Sequence, residues 1–192
     1  MDPNRVLALF RECRALLEGH FQLSSGLHSA GYLQAALVLQ YPRHAGALGA
    51  ALAARVRGLA PSVVLSPALG GIVIGHEVAR ALGVRAIFAE RQEGRLRLRR
   101  GFSIAPADRV LVVEDVVTTG LSTRETIDVA RAEGAVVVGV AAIADRRAEG
   151  GGFDVPFEAL ARIVWPTYEA AACPLCAAGV PVVKPGSRPA RA

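Results

Sequence analysis

Lysine is nearly missing from this chain: Lys184 is the only one in 192 residues, although lysine and arginine together number 22 and leave a formal net charge of +5. Positive charge is therefore carried by guanidinium groups, which suit bidentate contact with carboxylate and phosphate oxygens better than an ammonium does. Cysteine is scarce too. Cys13, Cys173 and Cys176 are too few and too unevenly placed for a disulfide framework, which fits a reducing compartment. Aromatic residues make up only 5%, without the aromatic-basic interleaving of single-strand binders, so the basic balance points to a small polyphosphate and not to nucleic acid. Long apolar runs are lacking as well. Hydrophobic residues reach 52% and mean hydropathy is +0.36, yet the longest apolar stretch, 135–144, is far short of a membrane span. The start, MDPNRVLALFREC, has no basic segment, apolar run and small-residue cleavage site in succession. The expectation is a soluble, cytoplasmic protein with no membrane partner.

What is present fits one well-buried domain spanning 1–192. Asp2 and Pro3 can start a helix, and Val6, Leu7, Phe10, Cys13, Leu16 and Leu17 recur at helical spacing until Gly19. After the polar stretch GHFQLSSGLHSAGY comes a second helical run between Pro42 and Pro61. Short apolar runs then read as buried strands at 62–66, 84–89, 109–114 and 135–144, with helical segments at about 71–82 and 122–133. This alternation predicts an α/β fold with a parallel sheet. Ligands in such sheets bind at the carboxyl ends of the strands, which singles out the loops PALGG (67–71) and EDVVTTGLST (114–123). Residues 90–104 break the rhythm: arginine and leucine alternate through Arg95–Arg99 after Gly94, predicting a basic hairpin arm. The tail beyond Tyr168 reads as irregular.

In RVLVVEDVVTTGLSTRET, a strand ends in Glu114 and Asp115, and Thr118, Thr119, Gly120, Leu121, Ser122 and Thr123 lead into a helix. Gly120 permits a tight turn and close approach, while hydroxyls and a helix amino end make an anion site. Carboxylates repel phosphate but accept hydrogen bonds from vicinal hydroxyls, so a sugar diol next to a phosphate satisfies both halves. Taken singly, each residue has an ordinary use as a strand end or helix cap. As a block, the segment resembles the phosphoribosyl pyrophosphate (PRPP) signature of type I phosphoribosyltransferases. It lacks the Gly-Lys-Ser/Thr ending of a nucleotide-triphosphate loop.

The resemblance implies a parallel-sheet type I fold with a small hood, built from 1–40 and the carboxyl-terminal tail, and a mobile arm at 90–104. It implies that Glu114 and Asp115 hold the ribose hydroxyls and that residues 118–122 wrap the 5-phosphate. Ala68, Leu69 and Gly70 would cradle pyrophosphate, with a cis peptide at Ala68–Leu69. Mg2+ would be carried by PRPP itself, with no direct protein ligand.

Further segments resemble the orotate branch. GHFQLSSGLHSAGYLQ (19–34) is similar to the segment lying over the pyrimidine, with Ser24, Ser25 and Gly26 on the substrate side. Many relatives have lysine at the position of Ser24 and an aromatic at that of Leu33, which leaves Tyr32 for the ring contact. His20 and His44 read as satisfied loop histidines, and His28 as either that or a site residue. ADRRAEGG (144–151) resembles the family's Asp-Arg motif, in which Arg146 would face the substrate carboxylate. The arm resembles the family's catalytic loop without its lysines and histidine. Arg91 is its clearest match, and Arg95, Arg97, Arg99 and Arg100 are candidate replacements, with Arg91, Arg95 and Arg97 taken as catalytic.

CPLC (173–176) has the spacing of half a zinc site, but with no second cysteine pair it reads as a turn or a thiol pair. The resemblance further implies orotate and PRPP as substrates and a homodimer whose arm reaches the neighbouring site. Two alternatives stay open: a phosphoribosyltransferase for purines or another base, and a PRPP-sensing regulator that binds nucleic acid through its arm.

Overall fold

In the computed structural model, which describes residues 1–23, 25–147 and 152–185, the chain opens on α1 (Pro3–Glu12). The Asp2 side chain caps it by accepting from the Asn4 N–H, and Pro3 stands in its first turn. The helix is shorter than its periodicity predicts. Arg14 adopts a left-handed φ of 51°, and Leu16 and Leu17 begin β1 (Leu16–Gln22), where they face Leu33 and Tyr32 of β2 (His28–Leu33). Cross-strand pairing prevails there over the local helical pattern.

The short α2 (Ala36–Leu39) and the long α3 (Pro42–Val56) follow. The repeating part then runs β3 (Val63–Pro67), α4 (Gly71–Leu82), β4 (Arg85–Gln92), β5 (Arg95–Leu98), β6 (Arg109–Val117), α5 (Leu121–Ala132), β7 (Val136–Asp145) and β8 (Phe157–Arg162). After β9 (Thr167–Tyr168), the tail beyond Tyr168, expected to be irregular, holds a 3-10 turn at 170–172 and α6 (Pro174–Ala177).

One sheet has the order β5-β4-β3-β6-β7-β8 and is parallel except for β5. Its central strands are apolar on both faces because both faces are covered. Val64, Leu111 and Val113 pack with α1, α3 and α4 on one side, while Val63, Leu65, Val110 and Val112 pack with Ile127 and Ala130 of α5 on the other. The neighbouring strands β3 and β6 thus send their following helices to opposite faces, which opens a crevice at their carboxyl ends. The basic arm is the β4–β5 hairpin. Its two-residue turn, Glu93 (φ 47°) and Gly94 (φ 81°), has the left-handed pair of a type I′ turn.

The second sheet, β1-β2-β9, covers that crevice as a hood. β1 carries one extra residue between Glu18 and Phe21, so the alternation lapses and the adjacent His20 and Phe21 are both buried. Among the described residues no helix is long and apolar enough to cross a membrane.

Candidate active site

Two adjoining concavities lie at the carboxyl ends of β3 and β6. The first, about 460 Å3, is lined by residues 114–124 and by Leu23, Ser25, Tyr32, Leu33, Gln34 and Arg146. The second, about 700 Å3, is bounded by Leu69, Gly70 and Val73 on the β3 side and by the hood's Tyr32 and Gln34. Asp115 and Tyr32 face both, so ligands in the two spaces would meet at these side chains.

The loop after β6 has a simple construction. Gly120 is the N-cap of α5 with φ 76°, a conformation open to glycine and strained for other residues. It brings no capping side chain, and the amino end of α5 faces the cavity. Arg124 fastens the loop by donating to the Thr119 carbonyl at 2.6 Å and lying 5.6 Å from the centre of the Phe153 ring. Thr118, Thr119, Gly120, Leu121 and Ser122 all line the first cavity, an arrangement suited to a phosphate monoester.

Glu114 is buried and Asp115 half-buried at the end of β6. Burial raises the Asp115 carboxyl above its ordinary range; hydrogen bonds from the Val116 N–H, at 2.8 Å, and from Glu114 oppose the shift. Across the crevice, the Ala68–Leu69 peptide is cis, the arrangement implied by the sequence resemblance. A Cβ on Gly70 would lie 2.8 Å from Asp115 Oδ2, so glycine lets the two loops close on each other.

Arg146 and Arg147 separate clearly. Arg147 holds Asp145 through its Nε at 2.9 Å and Nη2 at 3.1 Å and sits over the rings of Phe153 and Phe157. Burial alone would raise the Asp145 carboxyl, but the Arg147 contacts outweigh it and hold the group below the usual carboxylate range. Arg146 instead turns into the cavity. Its guanidinium lies 4.6 Å from the centre of the Trp165 ring, donates to Ser29 Oγ at 3.2 Å and leaves Nε buried without a hydrogen-bond partner. Among the described residues no carboxylate pairs with it. Burial drives its pKa down to about 10, opposed by the nearby Tyr32. Burial also raises the Tyr32 hydroxyl, reinforced by Asp115.

The first cavity therefore brings together Glu114, Asp115, residues 118–122, Tyr32 and Arg146; Ala68, Leu69 and Gly70 form the facing loop. Ser24 lies outside the described residues, while its neighbour Ser25 lines the cavity. The arm arginines are placed elsewhere. Arg91 pairs with Glu125 of α5, and Arg100 makes a two-pronged contact with Glu90 at 2.8 Å. Arg95 and Arg97 are exposed on the outer face of β5, whose inner face buries Leu96 against the α5 side of the core. None of these arginines is among the described residues lining the cavity of their own chain.

Sequence reasoning missed Ser29 and Trp165, which position Arg146. Trp165, the chain's one tryptophan, was the available signal. It packs flat on Gly31, where a Cβ would come within 2.5 Å of the indole.

Comparison with known proteins agrees with this geometry. No family model matches the chain. The orotate phosphoribosyltransferase of Carboxydothermus hydrogenoformans is 54% identical over 182 residues, covering 94% of this chain and 95% of that protein. That of Caldanaerobacter subterraneus subsp. tengcongensis is 48% identical over 188 residues, covering 98% and 99%. Among solved structures, orotate phosphoribosyltransferase from Aeropyrum pernix superposes with a TM-score of 0.64 at 26% identity, over 82% of this chain and 93% of that one. With relatives of this identity matched almost end to end, and with a hydroxyl-lined loop at a helix amino end, an acidic pair and a half-buried arginine in one crevice, the chain belongs to the orotate phosphoribosyltransferase family.

Proposed function

We propose that this protein forms orotidine 5-phosphate and pyrophosphate from orotate and PRPP. The observation that carries the choice of base is Arg146, a half-buried guanidinium with an unpartnered buried Nε and no carboxylate partner among the described residues, which faces the same cavity as residues 118–122. Carboxylate is the anion that best meets a planar fork of donors, and the group distinguishes orotate from uracil. Residues 118–122 would receive the 5-phosphate, Glu114 and Asp115 the ribose hydroxyls, and the loop of Ala68, Leu69 and Gly70 the pyrophosphate. Tyr32 would lie against the pyrimidine.

In the reaction the bond from the anomeric carbon to pyrophosphate breaks, and its electron pair leaves with the pyrophosphate. Positive charge grows on the sugar, where two carboxylates are the favourable neighbours. The ring nitrogen of orotate closes the new bond as its proton passes to the departing pyrophosphate, so no protein nucleophile is needed. The site's chemistry also fits Mg2+, a hard cation that takes oxygen ligands. Diphosphate oxygens and water would hold it, with the Asp115 carboxylate facing the same space. When bound, it neutralises charge on the departing pyrophosphate.

The arm completes the reading. Arg95 and Arg97 are exposed on the arm and do not line the cavity of their own chain, an arrangement that suits delivery to the site of a second copy in a homodimer. The experiment is pyrophosphate release with PRPP and each of orotate, uracil, adenine and hypoxanthine. Turnover with orotate alone is expected; turnover with a purine, or with none of them, would overturn the assignment.

A further inference from the structure

Outside the crevice, the fold gathers four side chains from distant parts of the chain. The β1 bulge buries His20, β2 begins with His28, and Cys173 and Cys176 flank and enter α6. His20 Nε2 lies 2.8 Å from His28 Nδ1. The Cys176 sulfur is 3.3 Å from His28 Nδ1 and 3.8 Å from His20 Nε2, and the Cys173 sulfur is 3.5 Å from His20 Nε2. All four atoms lie within 4.8 Å of one another. His20, His28 and Cys173 are 3%, 5% and 3% exposed, so three of the four are shielded from competing water.

These spacings suit a tetrahedral metal. With zinc bonds of about 2.0–2.1 Å to nitrogen and about 2.3 Å to sulfur, the edges of a tetrahedron are roughly 3.3 Å between nitrogens, 3.6 Å for mixed pairs and 3.8 Å between sulfurs. The mixed distances found here straddle that value, and the nitrogen pair needs to open by about 0.5 Å. Tautomers agree as well. His20 Nδ1 is 2.7 Å from the Val180 carbonyl, so it carries the proton and Nε2 presents its lone pair to the cluster. A ligating histidine is commonly held by such an outer hydrogen bond.

We propose that His20, His28, Cys173 and Cys176 bind one structural zinc ion that staples the carboxyl-terminal segment to the hood. Two thiolates with two imidazoles are a donor set for zinc and not for oxygen-seeking cations such as Mg2+. Four protein ligands close the coordination sphere, which marks a structural and not a catalytic metal. The sequence hides the site because Cys173 and His20 are 153 residues apart. In place of the missing cysteine pair, the hood supplies two histidines. The staple reinforces a weak backbone junction: Gln22 N–H donates to the Val183 carbonyl at 2.9 Å, and Val183 N–H to the His20 carbonyl at 2.8 Å. It therefore fixes the sheet whose Tyr32 and Leu33 roof the cavity.

The test uses the full chain, free of any histidine tag and purified under reducing conditions. Elemental analysis should find about one zinc ion per chain. Cys176→Ser, at an exposed position, should remain folded by circular dichroism and gel filtration yet hold at least about tenfold less zinc. Reconstitution of stripped protein with Co2+ should give the strong visible bands of a tetrahedral site and a thiolate-to-cobalt band in the near ultraviolet. Both should fade in Cys176→Ser and in His28→Ala. Stripping zinc should lower the melting temperature of the wild type and leave that of Cys176→Ser almost unmoved. Folded, reduced wild-type protein that holds no zinc after incubation with it and desalting would overturn the proposal, as would a Cys176→Ser chain that keeps wild-type zinc content.

Discussion

The Arg146 guanidinium lies face-on to Trp165 at 4.6 Å, and Trp165 in turn rests on Gly31 of β2. The ring fixes the guanidinium without neutralising it, which leaves its charge for a ligand. Arg146→Ala is expected to cut kcat/KM for orotate by about ten- to a hundredfold, equivalent to a charge-assisted contact of roughly 1.5–3 kcal/mol, with the PRPP KM nearly unchanged. Arg146→Lys should rescue poorly, since a point charge cannot make the two-pronged contact. Steady-state kinetics with each substrate varied will decide this; an unchanged orotate KM would remove Arg146 from recognition of the base.

The same stack can be disturbed from behind. A Cβ at residue 31 would come within 2.5 Å of the indole, so Gly31→Ala forces Trp165 and the hood apart. Overpacking of this kind costs about 1–3 kcal/mol. The expected result is a lower unfolding midpoint in urea together with a raised orotate KM. If stability falls while the orotate KM holds, the tryptophan does not position Arg146.

Asp115 links function to pH. Its carboxyl is raised in the folded chain, so over the window from the ordinary carboxylate pKa up to the raised value the folded state keeps a proton that the unfolded state has lost. Stability is therefore lost as pH rises through that window, and the ionised group remains destabilising above it. Asp115→Asn should raise the melting temperature at pH 7, an advantage that shrinks on acidification. The same variant should lower turnover by about a hundredfold, and by more than it weakens PRPP binding, because the charge matters most when the sugar is cationic. Calorimetry across pH and kcat measurements test the two halves separately.

Shortening residues 94–100 to a glycine turn should leave the sheet folded, because β3, β4, β6 and β7 retain their pairing, and should abolish most turnover. Mixing this chain with Asp115→Asn should restore part of the activity if the arm serves a second copy. Verified mixed dimers without recovery would confine the arm to its own chain.

Much of this was legible in the sequence, and for physical reasons. Strand and loop residues from Val110 to Thr123 are contiguous, so their chemistry reads directly as one block. The buried strands show as apolar runs because both faces of the sheet are covered. Arg146 was legible by position, but its difference from Arg147 arises from Phe153, Phe157 and Asp145 on one side and from Trp165 and Ser29 on the other. The helical period extends α1 too far because Leu16 and Leu17 satisfy it locally, while the strand partners that override it, Leu33 and Tyr32, come about 15 residues later in the chain. The pairing of His20 with Cys173 could not be read at all, since it depends on a one-residue bulge and a tail that folds back across the chain.

The alternation that builds the arm has a further effect at the boundary of the molecule. β5 is the last strand on its side of the sheet, with an outer row of backbone donors and acceptors that could recruit a like strand from another molecule. It is only four residues long and carries Arg95 and Arg97 exposed on one face, so an identical strand docking on that edge would bring like charges side by side. The alternation that leaves these arginines exposed thereby also guards the sheet against growing, strand by strand, into an aggregate.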